Sequence, residues 1–380
     1  MADPTKAEVF IGEHKYQHID YTKGYKRVIY QPGRVARIIM NRPRYKNALS
    51  HPHLAEIEDA FNRAAVDPEV RVIVLSGAGD SFSGGDDAMG LTPESAPVMA
   101  HHEETPAEAI KKYGSEGQVW RYYQDEHFWL LHGMHGRLRY IMKPTIAMVH
   151  GYCIFNAFSM ATTMDLIFAT EDALFLPVGG GAWDWGPRKA LEIAYEHRFL
   201  TARECMEFHM VSRIYPDYET LEKETLAFAE RVANQPVRQL AGSKAQYYHH
   251  LNRMGFAEDW DEHTMHELAY GGSAASPIRE TPEADKHRER FEGRGMARTP
   301  VALRNLKSKL ESEGKPVPAN VAAAVARAAA RDDRGAWERA LSQDWRDKSQ
   351  AERAKVPAAA YDKMVAERET AKKAETKKKK

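Results

Sequence analysis

Two stretches of this chain have the residue types and spacing to hold a carbonyl oxygen while it gains negative charge. The first is Phe82-Ser83-Gly84-Gly85-Asp86-Asp87. The second runs Lys143-Pro144-Thr145-Ile146-Ala147-Met148-Val149-His150-Gly151-Tyr152 and continues to Phe155-Asn156-Ala157-Phe158. An oxygen of that kind needs two donors aimed at it from backbone that cannot move. Gly84-Gly85 allows close backbone approach and φ values that other residues avoid. The plainer alternative is that the glycine pair only turns a strand into a loop, with Asp87 capping a helix.

Groups able to move a proton lie elsewhere in the chain. Asp184 sits in Gly179-Gly180-Gly181-Ala182-Trp183-Asp184-Trp185-Gly186. Desolvation between two tryptophans raises a carboxyl pKa and suits a proton shuttle; a loop hydrogen bond is the alternative role. His132 falls in an aromatic- and histidine-rich stretch and can transfer protons near neutral pH. A structural histidine is the competing reading, and His127 and His135 are weaker candidates. His150 reads as structural.

Composition sets outer bounds. The chain has 380 residues, 43% hydrophobic and 28% charged, enough for one large domain with an extension or for two domains. No apolar run approaches the ~20 residues of a membrane span. The start, Met1 to Glu13, is polar and acidic, unlike a secretory signal. Cys153 and Cys205 are far apart and neither belongs to a C-x-x-C pair, so a disulfide framework or cysteine-rich metal site is not expected, and a reducing cytoplasm fits. Net charge is zero, yet Gly271 to Lys380 holds 26 Lys+Arg and 17 Asp+Glu, a balance of +9 that leaves −9 for the remainder. Few aromatic residues accompany that basic end, which argues against nucleic-acid binding and for a solvated helical extension.

These residues need elements to position them. Residues 1–30 read as a polar lead-in. Val35 to Met40 reads as a strand after Pro32-Gly33. Ser50 is placed to cap a helix whose Leu54, Ile57, Phe61 and Ala64 share one face. Val70 to Leu75 and Thr145 to Val149 read as buried strands, so the early chain is α/β layered. Ala190 to Val211 and Leu221 to Ala233 read as amphipathic helices, as does the stretch Val119 to Tyr140. Gly271-Gly272 and Ser276-Pro277 suggest a boundary. Ala319 to Arg331 favours helix strongly, and Ala371 to Lys380 cannot form a core.

In order along the chain, Asn41-Arg42-Pro43 with Asn47-Ala48-Leu49, Asp67-Pro68-Glu69-Val70, Phe82 to Asp87, Lys143 to Tyr152, Met164-Asp165-Leu166-Ile167 and Leu200 to Pro216 resemble the enoyl-CoA hydratase/isomerase (crotonase) superfamily. The resemblance spans about Arg34 to Asn252. It implies a ββα spiral core, here residues 31–265; the change of composition beyond it reads as a charged helical extension over 266–370 and a disordered basic tail over 371–380. The resemblance also implies an acyl-CoA thioester substrate and a homotrimer or homohexamer, with no membrane or nucleic-acid partner, no metal, and no cofactor apart from coenzyme A as part of the substrate. By the family pattern the oxyanion donors are the N–H groups of Asp86, beside Gly85, and of Asn156. Arg44, Lys46, Ala48 and Lys244 are the matching coenzyme A contacts. Trp129 and Trp183 are candidates to line an acyl pocket.

The pattern also shows departures. Where the family has a glycine run opening a helix, this chain has Phe155-Asn156-Ala157-Phe158. Where the hydratases carry two glutamates, it has Ser159 and Gly179, and a serine with a glycine cannot make an acid/base pair. Ser159, Asp184 and His132 are therefore the catalytic candidates. The Asp184 loop is similar to that of the dihydroxynaphthoyl-CoA synthase and ring-opening hydrolase subgroup. The implied reaction is hydration or hydrolytic carbon–carbon cleavage of an unusual, bulky or cyclic acyl-CoA. Isomerase or dehalogenase chemistry is one alternative, and a non-catalytic CoA-binding scaffold is another.

Overall fold

The computed structural model describes residues 24–85, 111, 134–177, 185–255 and 294–330. The chain enters through β1 (Val28–Gln31) and β2 (Val35–Met40), an antiparallel pair. The lead-in thus ends earlier than expected, because Val28 is buried and Val28–Gln31 already pairs with Arg37–Met40. Next come α1 (His51–Val66), β3 (Val72–Gly77), α2 (Met134–Arg139) and β4 (Thr145–Val149). β5 (Tyr152–Ile154), α3 (Asn156–Thr162), β6 (Leu166–Thr170) and β7 (Leu174–Leu176) follow. After α4 (Pro187–Glu196), β8 (Leu200–Thr201), α5 (Ala202–Glu207) and β9 (Arg213–Tyr215) the described residues continue with the helices α6 (Tyr218–Ala233), α7 (Val237–Arg253), α8 (Arg294–Ser312) and α9 (Ala319–Ala330). Among the described residues no helix is long and apolar enough to cross a membrane.

Two sheets organise these elements. The larger has the order β1-β2-β3-β4-β6-β9 and is parallel from β2 onward; the smaller has the order β5-β7-β8. Each turn of chain gives one strand to the large sheet and the next to the small one, as β4–β5 and β6–β7 do. A bridge between Ser83 and Cys153 adds the residues after β3 to the small sheet's edge. The result is a spiral of ββα turns.

Strand periodicity explains the layers. Along β3, Ile73 and Leu75 join the core under α1, whereas Val72 and Val74 face the opposite way with Leu221, Ala229 and Ala233 of α6. A strand covered on both faces reads as an unbroken apolar run. The small sheet works alike. Cys153, Phe175 and Leu200 face the main core, while Ile154, Leu174 and Leu176 face Ala302, Leu303, Leu306 and Leu310 of α8 and Val321 and Ala324 of α9. The C-terminal helices therefore form a layer on the spiral. Asn305 fastens them by donating to the carbonyls of Glu196 (2.7 Å) and His197 (3.1 Å), and Asn320 by donating to that of Asp172 (2.9 Å).

Three local expectations are corrected. The helix anticipated over Ala190 to Val211 is two helices with a short strand between them. His197 ends α4 at φ 43, and Thr201 opens α5 with a capping box to Glu204. The β3 strand runs on through Ser76 and Gly77, because Ile39↔Ser76 and Met40↔Gly77 continue the ladder. Ser50 does occupy the N-cap of α1, but its hydroxyl makes no capping bond.

Asp165 joins three elements. It accepts from the backbone N–H of Thr145 (2.8 Å) at the start of β4 and from Tyr248 Oη (3.2 Å), and it pairs with Lys244 Nζ at 2.9 Å. Burial lowers the Lys244 pKa, against the pull of Asp165. Removing one partner of a buried pair leaves the other charge uncompensated and costs several kcal/mol. Lys244→Met is expected to lower the unfolding free energy by about 3 kcal/mol, read from denaturant midpoints, and the double variant with Asp165→Asn is expected to recover part of that loss. Equal stability for Lys244→Met and the parent would remove the pair from this role.

Candidate functional site

One side chain, that of Asn47, reaches most of the backbone around the first candidate segment, residues 82–85. Asn47 is fully buried. Its Nδ2 donates to the carbonyls of Ala78 and Ser81 (2.8 Å each), and its Oδ1 accepts from the Arg42 N–H (2.8 Å). Its own carbonyl accepts from Ser83 Oγ at 2.8 Å, and that oxygen accepts from the Gly85 N–H at 3.1 Å. Gly84 N–H donates to the Lys46 carbonyl (2.7 Å), and Leu49 N–H donates to the Gly85 carbonyl (2.8 Å). Lys46 and Asn47 both sit at positive φ (48 and 52), a conformation that asparagine tolerates well among non-glycine residues.

The second segment lies against the first. Phe82 N–H donates to the His150 carbonyl (2.7 Å), Ser83 N–H to that of Tyr152 (2.9 Å), and Ile154 N–H to that of Ser83 (3.2 Å). Gly85 has φ 86, and a Cβ there would fall 2.5 Å from the Ile154 carbonyl oxygen. Only glycine fits so close an approach. Gly151, at φ 56, is equally constrained, since a Cβ would stand 2.1 Å from the Asp80 carbonyl oxygen. The two stretches singled out by residue type are thus neighbours in space.

Asn156 is the first residue of α3, where backbone N–H groups point out of the helix start. The chain reaches it through Phe155 at φ 53, ψ −120, a conformation normally left to glycine. Strain of this kind costs roughly 1–3 kcal/mol. Phe155 is held by its N–H to the Leu176 carbonyl (2.8 Å), by its carbonyl accepting from Ser159 N–H (3.0 Å), and by packing against the cluster that includes α8 and α9. A turn of glycine-like geometry is therefore built here on a phenylalanine. Ser159 lies half-buried one turn into α3, on the side of Asn156.

The proposed substrate contacts differ in what they have available. Lys46 is 45% exposed at the side chain, pairs with Asp80 at 2.7 Å and lies over the Tyr152 ring at 5.6 Å. Asp80 is partly buried, which opposes ionisation, but bonding to Lys46 leaves its pKa lowered overall. Lys244 is 8% exposed and committed to Asp165 and to the Lys143 carbonyl. Its charge therefore serves the junction of α7 with the sheet rather than a surface phosphate. The Ala48 carbonyl accepts from Arg42 and from His53 Nδ1 (3.1 Å). Arg44 belongs to the 3-10 turn Pro43–Tyr45, and its side chain lies outside the described residues. So do Asp86, Trp129, His132, Trp183 and Asp184. Trp185, which follows Asp184, packs on Phe158 of α3 with ring centroids 5.5 Å apart.

His150 has the structural place expected of it. Its Nε2 lies 2.9 Å from the Gly79 carbonyl oxygen, its ring lies 4.5 Å from that of Tyr218, and burial lowers its pKa. Sequence reasoning missed the roles of the Asn47 side chain and the Phe155 backbone. The residue pair Lys46-Asn47 did carry a turn signal, whereas nothing local marks a phenylalanine for positive φ.

His53 adds a pH dependence. It is fully buried, and burial followed by the nearby Arg42 charge pushes it down to about 3, against the pull of its bond to Ala48. The folded state therefore holds it neutral, while the unfolded chain protonates it near 6.5. Its contribution is whole above 6.5 and is lost as pH falls toward 3. Between pH 7 and 5 this one group should remove about 2 kcal/mol of stability. His53→Asn, which can keep a donor toward Ala48, is expected to flatten that slope in denaturant unfolding at the two pH values. An unchanged slope would acquit His53.

The sequence model of the family described as Enoyl-CoA hydratase/isomerase matches residues 31–114. The chain is similar to EchA13 of Mycobacterium tuberculosis, which carries an enoyl-CoA hydratase name. Identity is 30% over 270 residues, covering 63% of this chain and 82% of that protein. It is also similar to the mitochondrial Delta(3,5)-Delta(2,4)-dienoyl-CoA isomerase of Rattus norvegicus, 24% identical with 62% and 69% covered. A crystal structure from Mycobacterium thermoresistibile with an enoyl-CoA hydratase designation superposes with a TM-score of 0.56 at 30% identity, covering 66% of this chain and 96% of that one. With the spiral of ββα turns, this similarity places the chain in the enoyl-CoA hydratase/isomerase family of the crotonase superfamily.

Proposed function

We propose that this protein binds an acyl-CoA thioester and stabilises its enolate between the N–H groups of Asp86 and Asn156. The observation that carries this reading is the ladder from Phe82 and Ser83 to His150 and Tyr152, with Gly85 against Ile154. It sets residues 82–85 beside 150–154, the stretches that lead into the two proposed donors, with close backbone contact at Gly85. Donors fixed before charge develops are what an enolate needs.

The chemistry we favour is hydration of an enoyl thioester or hydrolytic carbon–carbon cleavage of an oxoacyl thioester. In hydration, water adds to the β-carbon, the electron pair moves onto the thioester oxygen, and a proton goes to the α-carbon. In cleavage, water attacks the distal ketone, the carbon–carbon bond breaks with its electrons on the thioester side, and the same protonation follows. Asp184 is the proposed proton carrier, with His132 the next candidate. Ser159 has a hydroxyl suited to orienting a water molecule rather than to taking its proton. Trp129 and Trp183 are proposed to bound the acyl group, and Arg44 and Lys46 to face the coenzyme A phosphates. Assembly as a homotrimer or homohexamer belongs to the same proposal.

The relatives named as dienoyl-CoA isomerases favour a second reading. Here the enolate is reprotonated at a different carbon and no mass changes.

The test is a panel of linear and cyclic enoyl- and 3-oxoacyl-CoAs followed by mass and by proton NMR. A gain of one water is expected, carried by a single product for an enoyl or cyclic thioester and divided between a carboxylic acid and a shorter acyl-CoA for a linear 3-oxoacyl-CoA, and lost in Asp184→Asn. Product retained in Asp184→Asn would shift the role to His132. A changed NMR spectrum at constant mass would establish isomerisation instead. Binding without any change would leave a non-catalytic protein. If Lys46 meets a phosphate across solvent, Lys46→Ala should weaken coenzyme A binding about two- to fivefold, the scale of an exposed ion pair.

A further inference from the structure

Phe155 connects the C-terminal helices to the turn that opens α3. Three observations converge on this residue. First, it carries the turn into Asn156 at φ 53, ψ −120. A side chain at that φ is strained, and such a conformation persists only where the surroundings over-determine it. Second, Phe155 packs against the cluster built from Ile154, Leu174 and Leu176 of the small sheet and Leu303, Leu306 and Val321 of α8 and α9. Third, its Cβ is the side-chain atom nearest a Cβ placed on Gly85, at 3.4 Å, so it stands beside the first oxyanion segment as well. Glycine would adopt this turn on its own. Phenylalanine must be held in it, and the apolar layer that holds it includes Ala302, Leu303, Leu306 and Leu310 of α8 and Val321 and Ala324 of α9.

We propose that Phe155 is a positioning residue, clamped by α8 and α9, and that this clamp aims the Asn156 N–H at the thioester oxygen. The inference rests on the oxyanion reading given above. It goes further by assigning a function to the helical extension. Undocking the helices would let the Phe155 turn relax toward negative φ and withdraw one donor.

The experiment uses the full-length protein and crotonyl-CoA labelled with carbon-13 at the thioester carbonyl. Hydrogen bonds to that oxygen move the bound resonance downfield, and no turnover is needed. The parent protein is expected to show the shift. Phe155→Ala keeps a strained turn and loses the clamp, so it should lose most of the shift, while Phe155→Leu restores it in part. Phe155→Gly removes the strain and should keep most of the shift. Leu306→Ala should reduce the shift in the parent and have no effect in Phe155→Gly, because there the turn no longer depends on the clamp. Where turnover is measurable, Phe155→Ala should lower kcat about a hundredfold, as loss of one oxyanion donor does, with KM within about twofold. Circular dichroism of each variant establishes that it is folded.

A purely structural role predicts otherwise. Leu306→Ala would then lower thermal stability in both backgrounds and leave the carbonyl resonance alone. That result, or a Phe155→Ala resonance equal to the parent's, overturns the clamp. A parent protein that binds the probe and leaves its carbonyl at the free position overturns the oxyanion reading itself, and the clamp with it.

Discussion

The site depends on one close contact between backbones. Residues 82–85 and 150–155 run side by side, and Gly85 comes so near the Ile154 carbonyl that a methyl group would collide at 2.5 Å. Everything nearby serves to keep that distance. Asn47 spends its whole amide on four backbone groups in and around the first segment, those of Arg42, Ala78, Ser81 and Phe82. Buried polar groups cost free energy unless they are bonded, so an asparagine with every near neighbour satisfied ties the loop firmly. The spiral then supplies the second segment. Each turn passes from the large sheet to the small one, and the passage from β4 to β5 through Gly151 sets Tyr152 and Ile154 against Ser83.

The small sheet mediates between chemistry and extension. One of its faces belongs to the main core and the other to α8 and α9. The turn that begins α3 leaves this sheet directly, through a phenylalanine held in a conformation that suits glycine. Local conformational preference and global packing disagree at Phe155, and packing prevails. Conflicts of that kind gather at functional sites, where strain is offset by the surrounding structure.

Much of the fold was legible because its signals are periodic. Val35 to Met40, α1 and α6 lie where their apolar spacing put them, and the ordered motifs pointed to the spiral. What failed had local physical causes. The helix anticipated over Ala190 to Val211 breaks because His197 takes a left-handed cap and Thr201 starts anew with Glu204. Lys244 was matched to a coenzyme A contact by the family pattern, and no periodicity announces that Asp165, far away in sequence, draws it inward. Near the candidate site, the close approach at Gly85 was readable from the freedom of φ that a glycine pair allows, whereas Asn156 was named only through the family pattern. Asn47 and Phe155 act through tertiary contacts that only the folded chain discloses. Asp86, His132 and Asp184, along with the tryptophans at 129 and 183, lie outside the described residues, so for them the sequence argument stands alone.

The most direct measurement is α-proton exchange on a saturated thioester. Butyryl-CoA would be incubated with the protein in deuterated water, and its mass followed with fragmentation to locate the label. A thioester held by two donors with a base nearby passes through its enolate, so the account predicts deuterium at the α-carbon at a rate well above that without protein. Butyryl-CoA that binds and returns without deuterium at that carbon would contradict it.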